Sequence, residues 1–339
     1  MIEADGPLPV STFMQLCLHH PEHGYYAARP GLGRDFRTAP ETSQVFGEVI
    51  GLWAAYEWAA MGAPAPFSLV ELGPGRGVFM ADILRAAAPQ GAMVVAANVF
   101  LVEPSAPLRQ VQSGALAGAA AGHLDALADA PPGPLILLAN EYLDCLPARQ
   151  FVQVGGAWHE RVVGLGPSRD LAFGLAADRA PGANAPPAQS ALELQPGLET
   201  LVAQLAERGG PMRALFVDYG PGTGPPSDTL RAFRDGQQVD PLNEPGACDL
   251  TVDVDFTRLA ALAREAGLDV AGPAPQGQFL GALGVEARMR ALISANPSAA
   301  ADIHAGVAEL VEPDKMGQRF KAICLSSPGL PPPAGFSSP

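Results

Sequence analysis

The chain reads as α/β: a Rossmann-like, doubly wound sheet with a helical N-terminal extension and an inserted β-meander. Three observations predict this. Phe67–Leu84 (FSLVELGPGRGVFMADIL) passes from an apolar β-type run through a glycine turn into a helical pattern, with Phe79, Ile83 and Leu84 on one side and Asp82 and Arg85 off it. Apolar runs at 68–72, 98–103, 134–140 and 213–218 read as strands, with helical stretches between them. After Asn140 the pattern changes: Arg149–Val154, Ala157–Leu165 and Leu171–Leu175 alternate, with turns at Gly155-Gly156 and Gly166-Pro167.

The other elements follow along the chain. Residues 1–62 form the helical extension. Ser11 is placed to cap a first helix ending at His20, before Pro21. A polar, glycine-bearing loop leads to Pro40, and a second helix is expected from Glu41 past Trp58, with Val45, Phe46, Val49, Leu52 and Trp53 at helical spacing. Residues 63–325 make the sheet domain, with the meander at about 149–176. Low-complexity residues 178–190 read as a loose loop. Helical periodicity returns at 198–207 and 256–266, and the Pro-, Gly- and Ser-rich tail, 326–339, is expected to be disordered.

Composition narrows the function classes. A length of 339 residues can bury a large core. The net charge of -14, with only two lysines, argues against nucleic-acid or anionic-membrane binding and suits a basic partner. Cys17, Cys145, Cys248 and Cys324 are scattered, so reduced thiols are expected, and no Cys/His spacing fits a metal site. No apolar run has membrane-spanning length, and the N-terminus lacks the features of a secretory signal. The expected compartment is the cytoplasm of a bacterium, or the mitochondrial matrix in a eukaryote.

The glycine corner carries the chemistry. Gly73, Gly75 and Gly77 let the backbone turn sharply and approach a ligand just before a helix N-terminus. Val78 stands where a dinucleotide fingerprint needs its third glycine, and no P-loop lysine is near. Glu71-Leu72-Gly73-x-Gly75-x-Gly77 instead resembles the first motif of S-adenosyl-L-methionine (SAM)-dependent methyltransferases. Glu103 ends the next apolar run, 26 residues past Gly77, where a carboxylate can accept both ribose hydroxyls. Alternatively, glycine turns and strand-end acids occur without any ligand.

Five further blocks are His19–Tyr26, Asp35–Gly47, Asn140–Pro147 with Gln150-Phe151, Asp218–Gly220, and Val239–Phe256. Together with the glycine corner they resemble the MidA family of SAM-dependent methyltransferases over about Pro7 to Lys321. That resemblance implies a class I methyltransferase sheet with SAM as cofactor. It also implies a protein substrate, with mitochondrial members serving respiratory complex I assembly through methylation of an arginine. A homodimer is compatible with it. The sequence departs from the family pattern at Arg34, Thr42 and Gly236.

An arginine acceptor is cationic up to a pKa above roughly 12, and carboxylates can grip its fork and localise its charge. Asn140, Glu141 and Asp144 follow the 134–140 run, at the sheet edge where α/β folds place ligands. A spacing of three would put Glu141 and Asp144 on one side of a helical turn; the alternative makes Asn140 a helix cap and the acids a solvated first turn. Asp35, Thr38 and Ser43 are candidates for a lid over the cofactor. Asp218-Tyr219 closes another strand and could line the same mouth. The competing functions are a non-catalytic assembly chaperone, a small-molecule methyltransferase and, least favoured, an NAD oxidoreductase.

Overall fold

Seven strands build the central sheet: β1 (Phe67–Leu72), β2 (Ala97–Val102), β3 (Ala121–Leu124), β4 (Leu135–Asn140), β5 (Met212–Tyr219), β6 (Asp269–Pro275) and β7 (Phe320–Ser326). Their order is β6-β7-β5-β4-β1-β2-β3, and β7 alone runs antiparallel to its neighbours. The computed structural model describes residues 1–28, 37–89, 91–179 and 191–336. Every residue of β1, β4 and β5 is buried, which is why they read as continuous apolar runs instead of alternating ones. The chain moves outward from β1 to β2 and β3, then returns to β4. That reversal opens a crevice at the carboxyl ends of β1 and β4.

Helices α1 (Val10–His19), α2 (Ala39–Thr42), α3 (Gln44–Ala60), α4 (Val78–Ala87), α5 (Ala106–Ala115), α6 (Pro196–Ala206) and α7 (Phe256–Glu265) flank this crevice or cover the sheet. One core joins α3 and α4 to one face of the sheet; another joins α6 and α7 to the other. A third core is separate from both. It packs Phe13, Met14 and Leu18 of α1 against Ala148, Val163, Ala232 and Leu250. This ties the N-terminal helix to the meander and to a small sheet of strands 231–234, 237–239 and 249–251.

Several expectations are corrected. Ser11 lies inside α1, which starts at Val10 after Pro9. The expected helix from Glu41 is broken at Ser43, whose extended backbone ends α2 and whose hydroxyl accepts from Val45 N at 3.3 Å to start α3. Asp82 is buried and pairs with Arg85 at 2.7 Å. The meander's third strand extends to Arg179, and strands 8–9 and 191–194 join its sheet. Residues 180–190 of the expected loose loop lie outside the described residues.

The tail expected to be disordered is packed as far as Phe336. Buried Arg213 pairs with Glu57 at 2.8 Å and donates to Ser326 Oγ and the Pro331 carbonyl. Glu57 accepts from Ala334 N at 2.8 Å, and the Ala334 carbonyl accepts from Trp53 Nε1 at 3.1 Å. The Phe336 ring packs on Phe279, tilted by 41° with centroids 4.9 Å apart. A proline-rich segment keeps its carbonyls, and here they satisfy buried donors.

Candidate active site

Gly73, Gly75 and Gly77 all adopt left-handed backbone (φ 61°, 50° and 82°). Gly73 and Gly75 line a cavity of about 990 Å³ at the crevice, and Gly77 does not. A Cβ on Gly77 would sit 3.1 Å from Gln112 Cα, so the third glycine lets α4 pack against α5.

Glu71 is 2% exposed, and its Oε2 has no hydrogen-bond partner among the described residues. Burial pushes its pKa up to about 8, opposed by the Met80 amide. Glu103 is also buried and lines the cavity. It accepts from Ser105 N at 2.8 Å and from Gln112 Nε2 at 3.3 Å. Gln112, fully buried, also donates to the Gly75 carbonyl at 2.8 Å, and its Oε1 lies 2.9 Å from His123 Nε2. One amide thus locks the strand-end acid to the glycine turn. The sequence does carry a trace of it: a polar residue four positions after Leu108 on the buried face of α5.

The other wall begins where β4 ends. Residues 141–147 form no helix, so neither the helical-turn pairing of Glu141 and Asp144 nor the capped first turn exists. Glu141 sits at φ 51°, a strained backbone for a non-glycine residue. Its Oε1 accepts from Ala39 N at 3.1 Å and Asn140 Nδ2 at 3.0 Å, tying the start of α2 to the β4 edge. Asn140 Oδ1 is buried without a partner among the described residues. Asp144 Oδ2 accepts from Tyr219 OH and Thr251 Oγ1, each at 2.7 Å. Tyr26 OH donates to Asp249 Oδ1 at 3.2 Å and lies 2.8 Å from Cys145 Sγ. Glu141, Asp144, Asp249, Tyr26, Tyr219 and Thr251 all face the same cavity.

Asp218 does not line it. Its Oδ2 accepts from the amides of Tyr142, Leu143 and Asp144 at 3.0, 2.8 and 3.3 Å, and its Oδ1 accepts from Tyr219 N at 2.9 Å. A strand-end acid that looked like a mouth residue is the brace of the 141–144 loop. Thr38 reaches the cavity, but Ser43 does not; its hydroxyl caps α3 instead. Asp35 lies outside the described residues. Tyr26, Asp249, Thr251 and His19 were not singled out from sequence as site residues. They belong to the separately packed N-terminal and small-sheet elements, which only the fold brings to β4.

Burial pushes Glu141 up to about 8, and the neighbouring Asp144 adds to the rise. Between the ordinary value of 4.5 and about 8, the folded chain holds protons on Glu71 and Glu141 that the unfolded chain has released. Stability of the ligand-free protein therefore falls as pH rises through that window. Thermal melts from pH 5 to pH 8 should show a declining midpoint; a midpoint that does not decline would contradict protonated carboxyls at Glu71 and Glu141 in the fold.

Carboxylates at the ends of β1 and β2, a glycine cradle and orphaned buried acceptors fit a cationic nucleoside. Residues 49–274 match the family described as S-adenosyl-L-methionine-dependent methyltransferase. The chain belongs to this family, that of MidA. This methyltransferase is 36% identical over 362 residues to the mitochondrial protein arginine methyltransferase NDUFAF7 homolog of Drosophila melanogaster, covering 96% of this chain and 82% of that one. It is 34% identical to human mitochondrial protein arginine methyltransferase NDUFAF7, covering 96% and 81%. A Burkholderia thailandensis crystal structure bound to S-adenosyl-homocysteine shares the fold (TM-score 0.80, 24% identity, covering 98% of this chain and 91% of that one). The methyltransferase takes SAM as its cofactor. No helix among its described residues is long and apolar enough to cross a membrane, and none of their His, Cys, Asp and Glu side chains form a metal-holding group.

Proposed function

We propose that this methyltransferase modifies an arginine of a protein partner, a respiratory complex I subunit or a close counterpart. The observation that carries the reading is a group of acids in the cavity lining: Glu141, Asp144 and Asp249 share it, with Tyr26 and Tyr219 bonded to Asp249 and Asp144. Carboxylates in low dielectric suit a guanidinium, which is planar, charged and rich in donors. The NDUFAF7 relatives, named protein arginine methyltransferases, support the same acceptor. Being mitochondrial, they also support a mitochondrial location in a eukaryote, which we place in the matrix; in a bacterium we place the protein in the cytoplasm.

When bound, SAM supplies an electrophilic methyl group. In our reading Gly73 and Gly75 give its backbone cradle, Glu103 accepts its ribose hydroxyls, and Glu71 and Asn140 offer acceptors to its ammonium. Thr38 closes the lid side. Glu141 and Asp144 orient the guanidinium and draw its charge away from the nitrogen that must attack. Glu141, as a carboxylate, would also accept the proton that the guanidinium loses on methylation and become neutral, a role that its raised pKa suits.

Glu103→Ala tests the cofactor half. Removing an acceptor to a charged group typically costs about 1.5–3 kcal/mol. SAM affinity measured by calorimetry should therefore fall roughly ten- to a hundred-fold. A change below about twofold would place the ribose elsewhere.

A further inference from the structure

We propose that Arg76, at the centre of the glycine turn, holds the carboxylate of the cofactor's methionyl group. Seven acidic residues among those described line the cavity, against one arginine, Arg76, and one histidine. That balance suits the sulfonium and ammonium of SAM, but it leaves the cofactor's own carboxylate in an acidic site. An anion there needs a cation, and among the described residues Arg76 is the arginine that lines the cavity.

The local charges favour it. Arg76 is half exposed and lies 3.7 Å from Glu41 Oε1, a long contact that binds it weakly. Arg37 also faces Glu41, so two guanidinium groups serve one carboxylate. The remaining acid among the described residues of this rim, Asp82, is already paired with Arg85 at 2.7 Å. Among the described residues of this rim, one positive charge is therefore in excess. Arg37 and Arg76 both border the adjoining hollow of about 470 Å³, but only Arg76 lines the main cavity as well. Its place between Gly75 and Gly77 puts it where the turn meets the ligand.

The inference rests on the cofactor reading, and a pair of ligands separates the two. S-adenosyl-homocysteine carries the carboxylate; 5′-methylthioadenosine keeps the nucleoside and sulfur without it. Calorimetry on wild type and Arg76→Met should show homocysteine-adduct affinity falling about tenfold or more, with methylthioadenosine affinity changed less than about twofold. Arg76→Lys should recover part of the loss, and a thermal melt checks that both variants fold. Equal loss for both ligands, or an unchanged homocysteine adduct, would overturn the assignment. Wild type binding neither ligand would overturn the cofactor reading itself.

Discussion

Gly75→Val is expected to raise the dissociation constant for SAM by about a hundred-fold or more, in a protein that still folds. Gly75 sits at φ 50° on the cavity wall, and its carbonyl accepts from the buried Gln112 amide. A β-branched residue there is strained by roughly 1–3 kcal/mol, and its side chain fills the space in which backbone and cofactor must meet. The strain alone lowers the melting temperature by a few degrees; the lost close approach removes affinity. Calorimetry and circular dichroism on the same preparation separate these effects. A folded variant with unchanged SAM affinity would remove the glycine turn from the cofactor site.

The second large effect lies at the end of β4. Glu141→Gln should cut single-turnover methyl transfer by about a hundred-fold or more, with SAM affinity nearly unchanged. The substitution is selective because a glutamine Oε1 still accepts from Ala39 N and Asn140 Nδ2, so the tie to α2 survives while the charge is lost. Asp144→Asn should act in the same direction. The pair should be non-additive, because both carboxyls would hold one guanidinium. Normal turnover in Glu141→Gln would remove Glu141 from the acceptor contact and leave it to the other cavity acids. Weakened SAM binding with intact chemistry would make Glu141 a cofactor ligand.

Much of the sheet was legible because parallel strands buried on both faces leave unbroken apolar runs, and β1 and β2 end at acids. The glycine corner was legible for a related reason: three left-handed positions in five residues admit little but glycine. The small sheet was not. Strands 231–234, 237–239 and 249–251 are three or four residues long and charged at several positions, too short for a period to show. The ordered tail was missed because proline-rich composition reports weak self-packing, whereas this tail is held by a buried ion pair elsewhere. At the site, sequence position placed Glu71, Glu103 and Glu141 at the cavity, but gave the same appearance to Asp218. Only its four amide donors distinguish a loop brace from a ligand-facing acid.

Identification of the methylated residue by mass spectrometry tests the account most directly. Wild type and Glu141→Gln would each be incubated with isotopically labelled SAM and the partner recovered by pull-down. The expected result is label on an arginine of that partner with wild type, and little or none with Glu141→Gln despite intact SAM binding. Label on a side chain other than arginine, or no transfer by a SAM-binding wild type to a partner it demonstrably holds, would contradict it.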